Sequence, residues 1–215
     1  MKFFKYLTLF SIFIIFLTGC SQKEKETEYN KPALYWYNEM LTQISSYQLD
    51  SADETYTSLE SEHRRSPLLP SATMLIANAH MEDEEYELAT YYYDQYLKRF
   101  DDGKLSSYIR YLKIKAKFLA FKQQFREQKL IDDTLLEIYK YKKEFPNSSY
   151  LYMVDNMESR LQMSKAILDL EIADLYERKE KPKASEYYTQ RAQNSWQEVK
   201  SIEPVNVPWY RAIFE

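Results

Sequence analysis

The 215 residues read as an all-α chain of stacked helix pairs, on three observations. Glycine occurs only twice, against an average usage of roughly 7%. Sheets and phosphate-cradling loops need glycine at turns, bulges and close backbone approaches, and helices do not. Apolar residues recur at helical spacing almost everywhere after Pro32, and no stretch alternates like a strand. The breakers Pro67, Gly103, Pro146 and Pro182 fall between the periodic runs rather than inside them. Apolar residues make up 45% of the chain, enough for a continuous core and too much for disorder.

The elements follow in order. Pro32 suits the first turn of a helix whose inner face carries Leu34, Tyr37, Leu41 and Ile44. Asp50 or Ser51 caps a second helix with Ala52, Tyr56 and Leu59 inward, and Arg64-Arg65-Ser66-Pro67 ends it. Pro70-Ser71 opens a third, carrying Leu75, Ile76 and Ala79. The fourth runs from about Tyr86 to Phe100, and Asp101-Asp102-Gly103 is the clearest helix stop in the chain. Helices then lengthen: one is marked by Leu105, Tyr108, Leu112, Ala116 and Leu119, another by Leu135, Ile138, Tyr141 and Phe145. After the turn at 145–150, one helix runs from Tyr150 to about Arg178, and Pro182 starts the last.

Repetition sharpens this into a tetratricopeptide-like solenoid of about four repeats. That repeat is a pair of helices of about 34 residues, with small residues where the two helices approach and an aromatic filling the space behind. The second-helix step, Ala-x-x-x-aromatic, occurs as Ala52/Tyr56, Ala89/Tyr93 and Ala184/Tyr188, with room for one degenerate pair centred near Thr134. The first-helix step occurs as Ala77/His80 and Ala173/Tyr176. Repeats are expected over 32–103 and, in longer-helix form, over 104–202. The segment 203–215 holds Pro204 and Pro208 and is expected to be irregular.

Residues 1–19 are not fold. Lys2 and Lys5 form a basic n-region, and Tyr6 to Leu17 is a nearly all-apolar stretch of signal-peptide length, too short for an ordinary spanning helix. It ends in Leu17-Thr18-Gly19-Cys20, which resembles the lipobox of bacterial lipoproteins. The resemblance implies cleavage before Cys20 and acylation of its thiol; Ser21, standing where lipoproteins kept in the inner membrane often carry Asp, points to an anchor at the outer membrane with a periplasmic face. The alternative is an uncleaved N-terminal anchor with an incidental cysteine. Residues 20–31 are polar, mixed in charge and read as a flexible tether. Cleavage removes Lys2 and Lys5 and no acid, taking the net charge from −4 to −6 (29 less 2 basic against 33 acidic) and disfavouring nucleic acid as a partner.

The second half carries a more specific likeness. Phe145-Pro146-Asn147-Ser148-Ser149-Tyr150 is similar to the Tyr-Pro-x-Ser-x-Tyr turn of the BamD family, the tetratricopeptide lipoproteins of the outer-membrane β-barrel assembly machinery. The run Glu171 to Arg178 resembles that family's Ile-Ala-x-Tyr-Tyr-x-Arg stretch, and Lys31-Pro32-Ala33-Leu34-Tyr35 resembles its opening. The resemblance implies a non-catalytic scaffold that joins a BamA-like barrel subunit and other assembly-complex lipoproteins and engages unfolded outer-membrane proteins. The family's arginine after the fourth repeat-alanine, in a region implicated in binding BamA, is replaced here by Tyr187-Tyr188. Arg191 follows one helical turn on, so Tyr188 and Arg191 are the candidate partner-binding residues. The segment 203–215, with its two prolines, is not expected to form the fifth repeat common in the family.

Chemistry is sparse. The sequence has no glycine-rich phosphate loop and no Gly-x-Ser-x-Gly, and its two histidines lack partner patterns. We therefore expect no enzyme, cofactor or metal site. His80 stands at a repeat-aromatic position and is read as packing, and Glu82-Asp83-Glu84-Glu85 as a solvated loop. Lys113, Lys115, Lys117, Lys122, Arg126, Lys129, Lys140, Lys142 and Lys143 make the centre basic, read as a solvated face. Tyr91-Tyr92-Tyr93 cannot all face one core, so at least one must point outward. Two other readings are a tetratricopeptide lipoprotein of another envelope system, such as a pilotin, and a helical envelope enzyme. The second is disfavoured because no paired carboxylates stand in an apolar setting.

Overall fold

Eight helices follow one another in the computed structural model, which describes residues 29–123 and 128–197. They are α1 (Ala33–Ser45), α2 (Leu49–Glu62), α3 (Leu69–Glu82), α4 (Tyr86–Arg99), α5 (Ser106–Gln123), α6 (Gln128–Glu144), α7 (Leu151–Arg178) and α8 (Pro182–Ser195). No strand occurs among the described residues. The signal segment, Cys20, most of the tether, Arg126, the side chain of Lys122 and the segment 203–215 lie outside them.

Helices pack on their sequence neighbours all along the series, the arrangement of a tetratricopeptide-like solenoid. The small-residue steps explain why. Ala52, Ala89 and Thr134 are fully buried on α2, α4 and α6, so a neighbouring helix closes onto each. Tyr56, Tyr93 and Ile138 fill the space one turn further on. Thr134 and Ile138 are thus the degenerate step expected near 134, with a β-branched residue in the aromatic place. Ala184 and Tyr188 occupy the same positions on α8 but stay half-buried, since α8 packs on α7 and no described helix follows it.

The core is divided along the series. One cluster joins α1 to α4 with Ile109 and Leu112 of α5, and a second joins α5, α6 and the first half of α7 through Ile114, Ile138, Val154 and Leu161. The apolar cluster at the α7–α8 seam is small: Ala166 and Ala192 are fully buried, with Leu170 and Trp196 against them. Tyr91 is 54% exposed while Tyr92 and Tyr93 are buried, as three consecutive helical tyrosines require.

Starts and stops follow local rules. α2 begins at Leu49 and α3 at Leu69, each one or two residues before the expected cap, and neither uses a side-chain cap. Helix ends of this size are set as much by packing as by caps. After α4, Gly103 adopts φ +86, a conformation that favours glycine, and its N–H donates to Asp101 Oδ1 at 2.9 Å. The 145–150 turn is tied by Tyr141 and Ser148, whose hydroxyls lie 2.7 Å apart, and Tyr150 stacks on Tyr111 of α5.

Candidate partner-binding elements

Arg191 and Tyr188 both lie on α8, facing α7, and the structure brings them together. Arg191 Nη2 donates to Asp169 Oδ1 of α7 at 3.2 Å, and its guanidinium sits 5.3 Å over the Tyr188 ring. Tyr188 stacks on Tyr176 of α7 with ring centroids 5.5 Å apart. Position 176 is the first-helix aromatic and 188 the second-helix aromatic, so the repeat pattern itself places these rings in contact. Neighbouring Tyr187 meets Tyr188 edge-on and is 57% exposed.

Asp169 is the residue that the sequence reading passed over. Its side chain is 1% exposed, and Oδ2 has no hydrogen-bond partner among the described residues. Burial raises its pKa above the ordinary carboxylate value, and the Arg191 charge works against that rise. The signal was available only as a carboxylate interrupting the apolar face of α7, which many solvated helices also show.

A second polar cluster lies between α2, α3 and α4. His80, 1% exposed, holds Nδ1 2.6 Å from Glu85 Oε2 and Nε2 2.9 Å from Asp53 Oδ1. Carboxylates at neutral pH only accept, so both ring nitrogens donate and the imidazole is charged. Tyr92 Oη donates to the same Asp53 oxygen at 2.7 Å and stacks on the imidazole, while the Tyr56 and Thr73 hydroxyls lie 2.8 Å apart beside it. The expected buried packing of His80 is present, and the ring also carries an ion-pair network. Glu85, read from sequence as part of a solvated loop, is one of its anchors.

Burial by itself would lower the His80 pKa, but the bonds and charges of Asp53 and Glu85 outweigh it and hold the value above 6.5. A raised histidine pKa stabilises the fold fully below the unfolded value, near 6.5, and that contribution fades as pH rises through the folded value. Urea midpoints should therefore fall as pH is raised above 6.5. In His80→Phe that fall should disappear, and an unchanged slope would contradict the charged-imidazole assignment.

The central lysines turn inward to acids more than the charge count suggested. Lys113 Nζ lies 2.8 Å from Asp94 and 3.3 Å from Glu137, Lys117 Nζ lies 2.5 Å from Glu137, and Lys142 bridges Asp155 and Glu158 at 2.8 and 2.7 Å. These pairs join α5 to α4 and to α6, and α6 to α7, so the basic run is partly cross-helix register rather than solvated face. Among the described residues, no three His, Cys, Asp or Glu side chains converge as a metal would need, and no helix is long and apolar enough to cross a membrane.

Residues 29–205 match the family model described as YfiO, outer membrane lipoprotein. The chain is also 35% identical to a Helicobacter pylori protein (strain ATCC 700392 / 26695) described as outer membrane protein assembly factor BamD. That alignment spans 217 positions, taking in all of this chain and 99% of the relative.

Proposed function

The chain belongs to the YfiO outer membrane lipoprotein family, and from that premise we propose that it is a non-catalytic scaffold of the β-barrel assembly machinery, joining a BamA-like barrel subunit and other assembly lipoproteins and engaging unfolded outer-membrane proteins. The observation that carries this reading is the 35% identity, over all of this chain and 99% of the relative, with a protein described as an assembly factor. Stacked helix pairs with rigid, amphipathic tyrosines at their surface suit extended clients, because a tyrosine adds contact area at low entropic cost.

In this reading residues 1–19 are a signal peptide, Cys20 carries the acyl chains, and 20–31 tether repeats at 32–103 and 104–202 to the periplasmic face of the outer membrane. Two acyl chains already anchor a protein stably. At the far end, the exposed Tyr187 with the half-buried Tyr188 and Arg191 forms the surface offered to the barrel subunit.

Affinity purification from solubilised membranes tests the complex. BamA should co-purify, and repeated recovery of a pilus secretin in its place would reassign the protein to another envelope system. Cys20→Ala should leave the protein as unprocessed precursor or free of the outer membrane. Normal outer-membrane fractionation of that variant would remove the lipid from the account.

A further inference from the structure

The turn between α2 and α3 combines two exposed arginines with the point where the chain enters the fold. Arg64 and Arg65 are both exposed, and residues Ser61–Ser66 line one open depression together with Ala33, the first residue of α1. Trp36 Nε1 donates to Glu62 Oε2 at 2.8 Å, pinning this turn against α1. The acids that stand closest in sequence are engaged elsewhere: Glu62 by Trp36, and Glu60 by Arg99 of α4. Neither Arg64 nor Arg65 meets a carboxylate among the described residues. At the same end of α1, Leu34, expected on the inner face, is instead 58% exposed because the helix buries Trp36, Met40 and Gln43, and Tyr35 is 38% exposed.

Basic side chains beside exposed apolar ones are the composition that sits at a membrane interface, the cations on phosphates and the apolar groups at the acyl boundary. The position of the patch adds a second argument. The thirteen steps from Cys20 to Ala33 can span no more than roughly 45 Å, so an acylated Cys20 holds Ala33 within that distance of the bilayer. The mature chain is net acidic, so an anionic leaflet repels most of its surface and favours whichever end presents cations. The turn between α7 and α8 also carries exposed Lys179 and Lys181, with Lys183 in the first turn of α8, but it lies at the other end of the helix series from the tether.

We propose that the α2–α3 turn, through Arg64 and Arg65, docks on the anionic phospholipid headgroups of the leaflet that holds the anchor, fixing the scaffold's orientation to the membrane. This rests on the anchor at Cys20 set out above.

The test uses protein purified from membranes with its own N-terminus, reconstituted at equal density into vesicles of phosphatidylcholine alone or with about one-third phosphatidylglycerol. Amide hydrogen exchange across residues 62–68 should slow at least about threefold in the anionic vesicles. The Arg64→Glu/Arg65→Glu variant should exchange at the phosphatidylcholine rate in both, while Lys179→Glu/Lys181→Glu keeps the slowing. Equal exchange in the two vesicle types, or equal loss in the α7–α8 control, would overturn the docking. Intact mass reports acylation of Cys20 separately, so an unmodified chain counts against the anchor while the exchange result alone decides the docking.

Discussion

Replacing His80 with alanine is expected to lower the unfolding free energy by about 3 kcal/mol, combining loss of a buried ring with the stranding of two carboxylates. Asp53 and Glu85 keep part of their surface in water, which holds the figure below that of a fully enclosed ion pair. Urea unfolding followed by circular dichroism measures it. His80→Phe separates the two contributions. Phenylalanine restores the aromatic that the repeat places here and keeps the stack on Tyr92, but it cannot donate to Asp53 or Glu85. We expect it to recover only part of the loss, leaving a deficit of about 1–2 kcal/mol. Full recovery would show that His80 acts through ring volume alone.

The second large effect lies at the α7–α8 seam. Ala192 is the one fully buried side chain of α8, so the docking of this helix depends heavily on the Arg191–Asp169 pair and the Tyr176–Tyr188 stack. Arg191→Ala leaves an unpaired carboxylate that is 1% exposed and already carries one unsatisfied oxygen. The expected cost is about 3 kcal/mol, with fast amide exchange along α8. Adding Asp169→Asn removes the buried charge and should return most of the stability, which a double-mutant cycle reads directly. The same pair of variants addresses function. Arg191 keeps 30% of its side chain exposed, so if it meets the barrel subunit, BamA recovery stays low in the double variant although the fold is restored. Recovery of BamA along with stability would instead assign Arg191 the task of holding α8 in place.

Most of the fold was legible because its determinants are local. The 3.6-residue rhythm of Val154, Met157, Leu161 and Leu168 names a helix whatever surrounds it, and Asp101-Asp102-Gly103 stops one by its own backbone chemistry. The small-aromatic steps were readable for the same reason, and they located the close helix contacts at Ala52 and Ala89 and, less plainly, at Thr134. Membership of the family was readable from short runs such as Phe145 to Tyr150.

The polar interior was not legible. His80 meets a carboxylate five residues on and another 27 residues back, and Tyr92 reaches that same Asp53 across 39 residues. Nothing in a one-dimensional pattern distinguishes Asp53 from its neighbour Glu54, or Glu85 from the three acids before it. Asp169 likewise looks like any carboxylate on a long helix until α8 folds over it and removes its water.

The residue order alone therefore settled the class of element, its approximate bounds, the helix pairing and the family. Each of these rests on interactions within a few residues or on a spacing repeated along the chain. Which charges are buried, which lysines pair across helices, and why Tyr188 and Arg191 share one seam came from the packed chain. Those facts depend on which faces neighbouring helices turn to each other, and a change of one residue in that register would exchange a solvated carboxylate for a buried one.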